Sequence, residues 1–296
     1  MVKFCIVIPT FNDRENLKVA IDSCLNQHFD DYCISVSDNN SNDGTQEYLS
    51  SLQGIHNNLN IHLNTETFSK SDNWNRAYSQ ASECNFLVNL HSDDYMFSNC
   101  LKDLSDGIRE DTVLIHGANY QETAAGVVLK RRLSFPWKST LSGDEHKALM
   151  ITNNAVGIVG TAFKQDVFNK IGGFSTRYTF FQDVHLWYQF SNYGNCTYIP
   201  NILGVYRQKD GIDPKPFFKE ILQWYQDIIA SESPALSSLA AKTLSHKITK
   251  KNKLAHSFAD EMLMKEVHNL NSRYSRSAIF NPIIYHWFLK IKNIHL

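Results

Sequence analysis

Strand-like apolar runs alternate with amphipathic segments along the first third of the chain. The runs occupy residues 5–8, 34–37, 61–63 and 86–90. Between the first two runs, apolar side chains recur at steps of three and four residues from Leu17 to Leu25, which is the spacing of one buried helix face. Alternating strands and helices favour a mostly parallel sheet with crossover helices. The pattern therefore predicts an α/β fold.

Further elements follow from the same periodicities. Helices are predicted at 46–52, 73–81, 166–171 and 184–192, and strands at 112–120, 127–132 and 198–207. The first two of these strands flank a turn and should pair antiparallel. Residues 153–163 contain no clear period, and we expect them to be rich in loops.

The composition of the chain changes beyond Asp210, where polar helices replace the α/β pattern. Asp210, Gly211 and Pro214 interrupt the periodicity, so we place a domain boundary near Lys209. The prediction is one α/β domain over 1–209, with halves 1–97 and 98–209, followed by a helical region over 210–296.

The composition predicts a globular protein and argues against nucleic-acid binding. The 296 residues are 43% hydrophobic, which is enough for a sizeable core, and a net charge of −1 gives no general attraction to nucleic acid. The six cysteines show no C-x-x-C pair, so we expect free thiols in a reducing compartment. The first apolar run is too short for a signal peptide or a membrane span, which predicts a cytoplasmic protein.

Acidic side chains directly follow the strand predicted at 86–90. The sequence continues His91, Ser92, Asp93, Asp94. Carboxylates at the C-terminal end of such a strand lie in the crevice where open α/β sheets bind ligands, and hard oxygen donors suit Mg²⁺ or Mn²⁺ holding a diphosphate. The alternative is that Ser92 and the two aspartates cap the following segment.

Two other strand ends carry groups suited to a nucleotide. The first strand runs into Pro9, Thr10, Phe11 and Asn12, and the second into Asp38 and Asn39. Phe11 offers an aromatic face, and the Asp38 carboxylate can accept a hydrogen bond from a base N–H or a ribose hydroxyl. The alternative for the second stretch is plain turn chemistry with a helix cap at Asp43.

These ordered motifs resemble the family 2 glycosyltransferases, inverting enzymes of the GT-A fold, over about residues 3–207. The resemblance implies a mixed, mostly parallel sheet flanked by helices, with a C-terminal helical extension. It also implies transfer of a sugar from a nucleotide diphosphate sugar, with UDP favoured, to a saccharide acceptor, assisted by Mn²⁺ or Mg²⁺. A degenerate relative that binds a nucleotide sugar without transferring it is the alternative.

The resemblance assigns metal and donor roles. Asp93 matches the position that reaches the metal, with Asp94 as a second acid, while His91 stands where the family often has an acid facing the ribose. Ser92 and Asn39 belong to the same donor-binding stretches, and Asn39 replaces a second aspartate. Helical residues upstream match positions that touch the base or the sugar, with Asn75 the best match; the set is Lys70, Asn73, Asn75 and Arg76. A solvated helix face is the alternative for Lys70 and Arg76.

The acceptor half carries the expected general base. Gly172-Gly173-Phe174 followed by Gln182-Asp183 resembles the family's Gly-Gly-Phe and Glu-Asp motifs, with glutamine replacing the glutamate. Asp183 is then the base that takes a proton from the acceptor hydroxyl, although its carboxylate could also cap a helix over 184–192. Arg207 either helps to hold the diphosphate or pairs with an acid. Trp137 and Phe181 either stack on an acceptor sugar or pack in the core.

The C-terminal segment 279–296 has an apolar helical face followed by lysines. It either lies on a membrane surface, where a polyprenyl-diphosphate-linked acceptor would be presented, or docks on protein. By analogy we expect a role in bacterial surface polysaccharide synthesis, such as O-antigen or capsule. A dinucleotide-dependent oxidoreductase is disfavoured, because the first strand lacks a G-x-G-x-x-G turn.

Overall fold

The computed structural model describes residues 2–123, 126–130, 138–154, 156–208 and 214–250. Trp137 and the segment 279–296 lie outside the described residues. The strands are β1 (Phe4–Thr10), β2 (Tyr32–Asp38), β3 (Leu59–Leu63), β4 (Phe86–Asn89), β5 (Tyr95–Met96), β6 (Thr112–Thr123), β7 (Gly126–Lys130), β8 (Ser139–Leu141), β9 (Ala162–Lys164) and β10 (Asn195–Arg207). The helices are α1 (Arg14–Leu25), α2 (Thr45–Leu52), α3 (Lys70–Ser79), α4 (Cys100–Gly107), α5 (Gly143–Thr152), α6 (Gln165–Ile171), α7 (Gln182–Phe190), α8 (Pro214–Ser231) and α9 (Pro234–Lys250).

One mixed sheet organises the α/β part of the chain. Its strands run in the order β3-β2-β1-β4-β9-β6-β10-β5, with β7 beside β6 and β8 beside β10. The first four strands of this order are parallel, so the carboxyl ends of β1, β2 and β4 meet at one edge. Loops that follow these strands carry the polar residues identified in the sequence.

The predicted helix periodicity is correct for α1. Its buried side chains are Leu17, Ala20, Ile21 and Cys24, which pack in the same core as β1, β2 and β4. All seven side chains of β1 are buried, because helices cover both faces of a parallel sheet. Burial of this apolar surface is the main favourable contribution to folding. It holds β1 and β4 in place, and with them the loops that follow.

The loop-rich interpretation of 153–163 missed a strand. β9 pairs antiparallel with β4 on one side and with β6 on the other, so it joins the two halves of the sheet. Three residues are too few to show a period of two, which is why the pattern gave no signal. The short elements β5, α4 and β8 were missed as well.

Asn89, the last residue of β4, connects the strand to its surroundings. Its side chain accepts a hydrogen bond from the Tyr78 hydroxyl and donates one to the Ile158 carbonyl at 3.1 Å. Its backbone bonds to Gly160 and Thr161 in the loop before β9. A buried amide in this position stays favourable because its polar groups have partners, and these bonds hold the strand end in place.

The described residues form two compact units. One contains those within 1–143 and 156–211, and the other those within 144–155 and 212–296. The sequence placed 144–155 in the first domain, whereas the structure groups them with the C-terminal helices. In the second unit the Tyr225 hydroxyl donates to the Ile151 carbonyl at 2.6 Å, and Lys147 pairs with Glu232 at 2.8 Å. Contacts distant in sequence therefore decide this grouping.

None of the described helices combines the length and apolar character that a membrane crossing requires. All six cysteines are described and are free thiols, and Cys84 is the one that is not fully buried. Burial raises the pKa of the Cys196 thiol to about 12, so this thiol stays protonated and packs as a small apolar side chain.

Buried His146 in α5 should make the free energy of unfolding depend on pH. Burial lowers its pKa from 6.5 to about 4, because the charged imidazolium is disfavoured away from water. Between these values the unfolded chain binds a proton that the folded chain does not, so stability should fall as pH drops from about 6.5 to about 4. The loss should reach at most ~3 kcal/mol.

Urea unfolding of wild type and His146→Gln between pH 7.5 and pH 4.5 measures this effect. The variant should lose part of the pH slope. His28→Gln, at an exposed histidine, is the matched control and should keep the wild-type slope. Equal slopes for His146→Gln and wild type would contradict the assignment.

Candidate functional site

The acidic loop after β4 gathers three groups able to bind a cation. One ligand atom each from His91, Asp93 and Asp94 lies within 4.8 Å of the others. His91 and Asp93 are partly exposed, whereas Asp94 is fully buried. The structure thus places Asp93 and Asp94, the predicted metal ligands, beside His91, which the sequence assigned to the donor.

Asp94 also anchors the loop to the end of β10. Its Oδ1 accepts a hydrogen bond from the Arg207 backbone N–H at 2.8 Å. The Arg207 guanidinium donates to Glu122 at 3.0 Å and to Asn16 at 3.1 Å, and its centre lies 4.9 Å from the Tyr95 ring. Of the two roles predicted for Arg207, this arrangement shows the pairing with an acid. Arg207 fixes the loop beside the cluster.

The loop after β1 lies against the acidic loop. The Ser92 hydroxyl donates to Asp13 at 2.9 Å, which ties the two loops together. The Phe11 ring is 47% exposed at this edge, as a surface for stacking requires. The Thr10 hydroxyl is buried and has no hydrogen-bond partner among the described residues, which is uncommon and suits contact with a ligand. Pro9 lies within β1, buried beside Ser37 of β2.

Asp38 bonds to its own loop in this structure, and its predicted contact with a base stays a prediction. The carboxylate is fully buried and accepts hydrogen bonds from its own loop. The Ser41 N–H donates to it at 3.0 Å, the Ser41 hydroxyl donates to it, and the Gln46 amide donates at 2.9 Å. Asn12, at φ 49°, donates its N–H to the same Ser41 hydroxyl at 2.8 Å. Asp38 and Asn12 therefore shape the loop.

Asn39 also bonds within the protein, and its predicted contact with a base stays a prediction. Its side-chain amide makes two hydrogen bonds to the backbone of Phe68, accepting from the N–H at 2.9 Å and donating to the carbonyl at 3.1 Å. An amide matches the paired donor and acceptor of one residue's backbone, which a carboxylate does not. This match gives a physical reason for asparagine at the position where the family has an aspartate.

Asn75 makes the same kind of contact. Its amide accepts from the Phe174 N–H at 2.7 Å and donates to the Phe174 carbonyl at 2.9 Å. In this structure the amide contacts the Gly-Gly-Phe motif, and the predicted contact with base or sugar stays a prediction. Gly173 has φ 84°, and a Cβ there would collide with the side-chain oxygen of Asn75, so the motif needs glycine.

Helix α3 links the acidic loop to the start of α7. The Trp74 ring lies 4.6 Å from the His91 ring, and the Ser71 hydroxyl donates to Gln182 at 2.8 Å. Ser71 and Trp74 are three residues apart, so they lie on neighbouring positions of one helix face, about 4.5 Å apart along the axis. The acidic loop and the predicted catalytic motif therefore both contact one turn of α3.

Asp183 lies in the first turn of α7, not at its cap as the alternative proposed. The N-cap is Phe181, and the Asp183 carboxylate accepts from the Val184 N–H at 2.8 Å. Asp183 is partly exposed, while neighbouring Gln182 is buried. The Gln182 oxygen accepts from the Ser71 hydroxyl, and an uncharged amide costs less to bury at this place than a glutamate carboxylate. Phe181 is 6% exposed, so of its two predicted roles the structure agrees with packing in the core and not with stacking on a sugar.

Several contacting residues were missed in the sequence. Trp74 and Ser71 lie between residues that had been identified, and their three-residue spacing on one predicted helix was the available signal. Lys70 was identified as a donor contact, but its Nζ donates to the Thr179 carbonyl at 3.2 Å and lies 4.8 Å from the Trp74 ring. The Arg76 guanidinium lies 4.9 Å from the Phe68 ring, and Asn73 is buried.

Comparison with known proteins identifies the family. The family model described as Glycosyl transferase family 2 matches residues 5–172. The chain belongs to glycosyl transferase family 2. This match contains the acidic loop and reaches the first glycine of the Gly-Gly-Phe motif. Asp183 lies beyond it, so the role of Asp183 rests on the motif and on the contacts of α7.

A curated relative covers part of the chain. A protein of Campylobacter jejuni subsp. jejuni serotype O:2, named GalNAc(5)-diNAcBac-PP-undecaprenol beta-1,3-glucosyltransferase, is 34% identical over 119 residues. The match spans 40% of this family 2 chain and 38% of that protein.

Solved structures share the GT-A fold. TarS of S. aureus, residues 1–349 in complex with UDP-GlcNAc, is similar with a TM-score of 0.69 and 14% identity, covering 92% of this chain and 80% of that one. The mannosyltransferase PcManGT of Pyrobaculum calidifontis, in complex with GDP-Man and Mn²⁺, has a TM-score of 0.59 and 15% identity, covering 99% and 84%. The predicted fold class is confirmed.

The acidic loop fits a divalent cation. Two carboxylates and an imidazole are hard or borderline ligands, a set suited to Mn²⁺. The Asp94 oxygen that accepts from Arg207 is fixed by that bond, and its other oxygen lies 4.0 Å from His91 Nδ1. Asp93 is partly exposed. The three side chains thus offer donor atoms close enough together to hold one cation.

Proposed function

We propose that this family 2 member is an inverting, metal-dependent glycosyltransferase that moves a sugar from a UDP-sugar to a saccharide on a polyprenyl diphosphate. The observation that carries the proposal is the convergence of the acidic loop and the start of α7 on one turn of α3. Ser71 bonds to Gln182, and Trp74 contacts His91. A donor diphosphate at Asp93 and an acceptor hydroxyl at Asp183 would then be close enough to react.

The chemistry needs a single base. The Asp183 carboxylate takes the proton of the acceptor hydroxyl as that oxygen attacks the anomeric carbon, and the bond from this carbon to the nucleoside diphosphate breaks. Asp93 and Asp94 would hold a divalent cation, which would supply positive charge for the departing diphosphate. Because Asp183 keeps its carboxylate at the partly exposed first turn of α7, it can face a substrate, whereas buried Gln182 cannot.

The proposed donor and the proposed pathway each rest on one similar protein. TarS was solved with UDP-GlcNAc, which supports a UDP-linked donor in a shared fold. The Campylobacter relative is named for a polyprenol-linked acceptor, which supports a role in bacterial surface polysaccharide synthesis such as O-antigen or capsule. A peripheral contact with the cytoplasmic membrane through 279–296 stays a prediction.

Ligand-dependent melting tests the donor assignment. The melting temperature should rise with UDP plus Mn²⁺, less with UDP alone, and least with GDP plus Mn²⁺, because a ligand that binds only the native state stabilises it. At 100 times the Kd the stabilisation should be about 2.7 kcal/mol. Equal shifts for UDP and GDP would contradict the UDP assignment, and a shift independent of Mn²⁺ would contradict the metal site.

A further inference from the structure

An aromatic and cationic surface lies between the acidic loop and the predicted base. Of the aromatic residues Tyr178, Phe180 and Phe181, the first and last are buried, whereas the Phe180 ring is 37% exposed. A single exposed ring is ordinary on a protein surface. The Phe180 ring is unusual because of what surrounds it.

Lys70 places a positive charge between two rings. Its Nζ lies 4.8 Å from the centre of the Trp74 ring and 6.0 Å from that of the Phe180 ring. It also donates to the Thr179 carbonyl at 3.2 Å, so the amine is held by the segment that carries Phe180. Lys70 itself is exposed. A held, exposed ammonium beside an aromatic ring offers donors and an apolar face together.

The surface continues to the acidic loop on one side and to α7 on the other. Trp74 contacts His91, with ring centres 4.6 Å apart, and Phe174 at 5.1 Å. Phe180 precedes Gln182 and Asp183 by two and three residues in the chain. A molecule bound at Lys70 and Phe180 would therefore lie beside Asp183, on the α7 side of the acidic loop.

The two ends of the site suit different ligands. Phe11, the exposed residue directly after β1, lies beside the loops that Asp38 and Asn12 shape. The Lys70 and Phe180 surface belongs instead to α3 and the segment before α7. A pyranose has an apolar C–H face that packs on an aromatic ring, and hydroxyls around its edge that accept from an ammonium.

We propose that Lys70, Trp74 and Phe180 form the acceptor subsite, which takes a neutral pyranose with its C–H face on Phe180 and its hydroxyl oxygens toward Lys70. The inference rests on the proposed function, since it names the substrate class at the same site. It moves Lys70 from the donor role predicted in the sequence to the acceptor. Trp74 supports the amine and separates it from the acidic loop.

Saturation-transfer NMR on the full chain, with UDP and Mn²⁺ present, tests the subsite. The probes are the methyl β-glycosides of glucose, galactose and N-acetylgalactosamine. Wild type should bind at least one of them, and Phe180→Ala should lower the affinity for that glycoside about tenfold. Phe180→Tyr keeps the ring and should bind as wild type does. Tyr193→Ala removes a ring that is 45% exposed elsewhere and should also leave binding unchanged.

Lys70→Met is the second variant, since it keeps the chain length and removes the charge. This variant should bind the glycoside more weakly than wild type does. Its melting temperature should still rise with UDP and Mn²⁺ as in wild type. Loss of the UDP shift with unchanged glycoside binding would return Lys70 to the donor site and overturn the inference. So would unchanged binding in Phe180→Ala, or no binding of any probe to wild type.

The same melting measurement separates this inference from the proposed function. If wild type shows no shift with UDP and Mn²⁺, the glycosyltransferase proposal fails first. If the shift is present in wild type and in both variants while glycoside binding is unaffected, the acceptor subsite alone is wrong.

Discussion

Replacing Asp183 with asparagine should lower the rate of sugar transfer by about 10²–10⁴-fold and leave UDP binding nearly unchanged. The amide keeps the shape of the side chain and can still accept from the Val184 N–H through its oxygen, so α7 should begin as before. It cannot take the proton of an acceptor hydroxyl. Initial rates of UDP release with acceptor, beside the Kd of UDP by calorimetry, measure the two effects separately.

Asp166→Asn is the matched control for this substitution. Asp166 is an exposed acid in the first turn of α6 and pairs with Lys170 at 3.1 Å, a surface ion pair expected to contribute little. Its transfer rate should stay within about twofold of wild type. A normal transfer rate in Asp183→Asn would remove Asp183 from the mechanism.

Replacing Asp93 with alanine should abolish the Mn²⁺-dependent part of donor binding. Asp93 is the partly exposed acid of the cluster, whereas Asp94 is buried and holds Arg207, so Asp93→Ala tests the metal with less risk to the fold. We expect the affinity for UDP in Mn²⁺ to fall about 100-fold, which corresponds to ~2.7 kcal/mol. Titration of UDP with and without Mn²⁺ measures this loss.

Asp106→Ala serves as the control for the metal site, because Asp106 is an exposed acid that pairs with Lys102 at 2.7 Å on α4. It should bind UDP as wild type does. If Asp93→Ala keeps the metal dependence and loses turnover, while Asp183→Asn loses donor binding, the two roles have been exchanged and the mechanism is wrong.

The elements around the acidic loop were predictable because their signals are local. β4 begins with three consecutive apolar residues, and the helix face of α1 repeats at three and four residues, so each is visible within one window of sequence. β9 was not predictable, because a three-residue strand carries no period and its position depends on β4 and β6 lying on either side.

The asparagines show the limit of motif matching. Asn39 and Asn75 were both assigned to the donor, and in the structure each bonds the backbone of one distant residue, Phe68 or Phe174. A side-chain amide can bind a ligand or a loop equally well through the same donor and acceptor. Which partner it finds depends on chain segments 29 and 99 residues away.

The sequence by itself determined the α/β class, the acids at the end of β4 and the aspartate before the apolar face of α7, since each depends on neighbouring residues and on the ordered motifs of the family. Only the tertiary structure decided that α3 joins these two regions and that Lys70 and Phe180 lie together. Their contacts span more than a hundred residues of chain. Such contacts form when apolar burial brings whole elements together, and no local pattern of side chains specifies them.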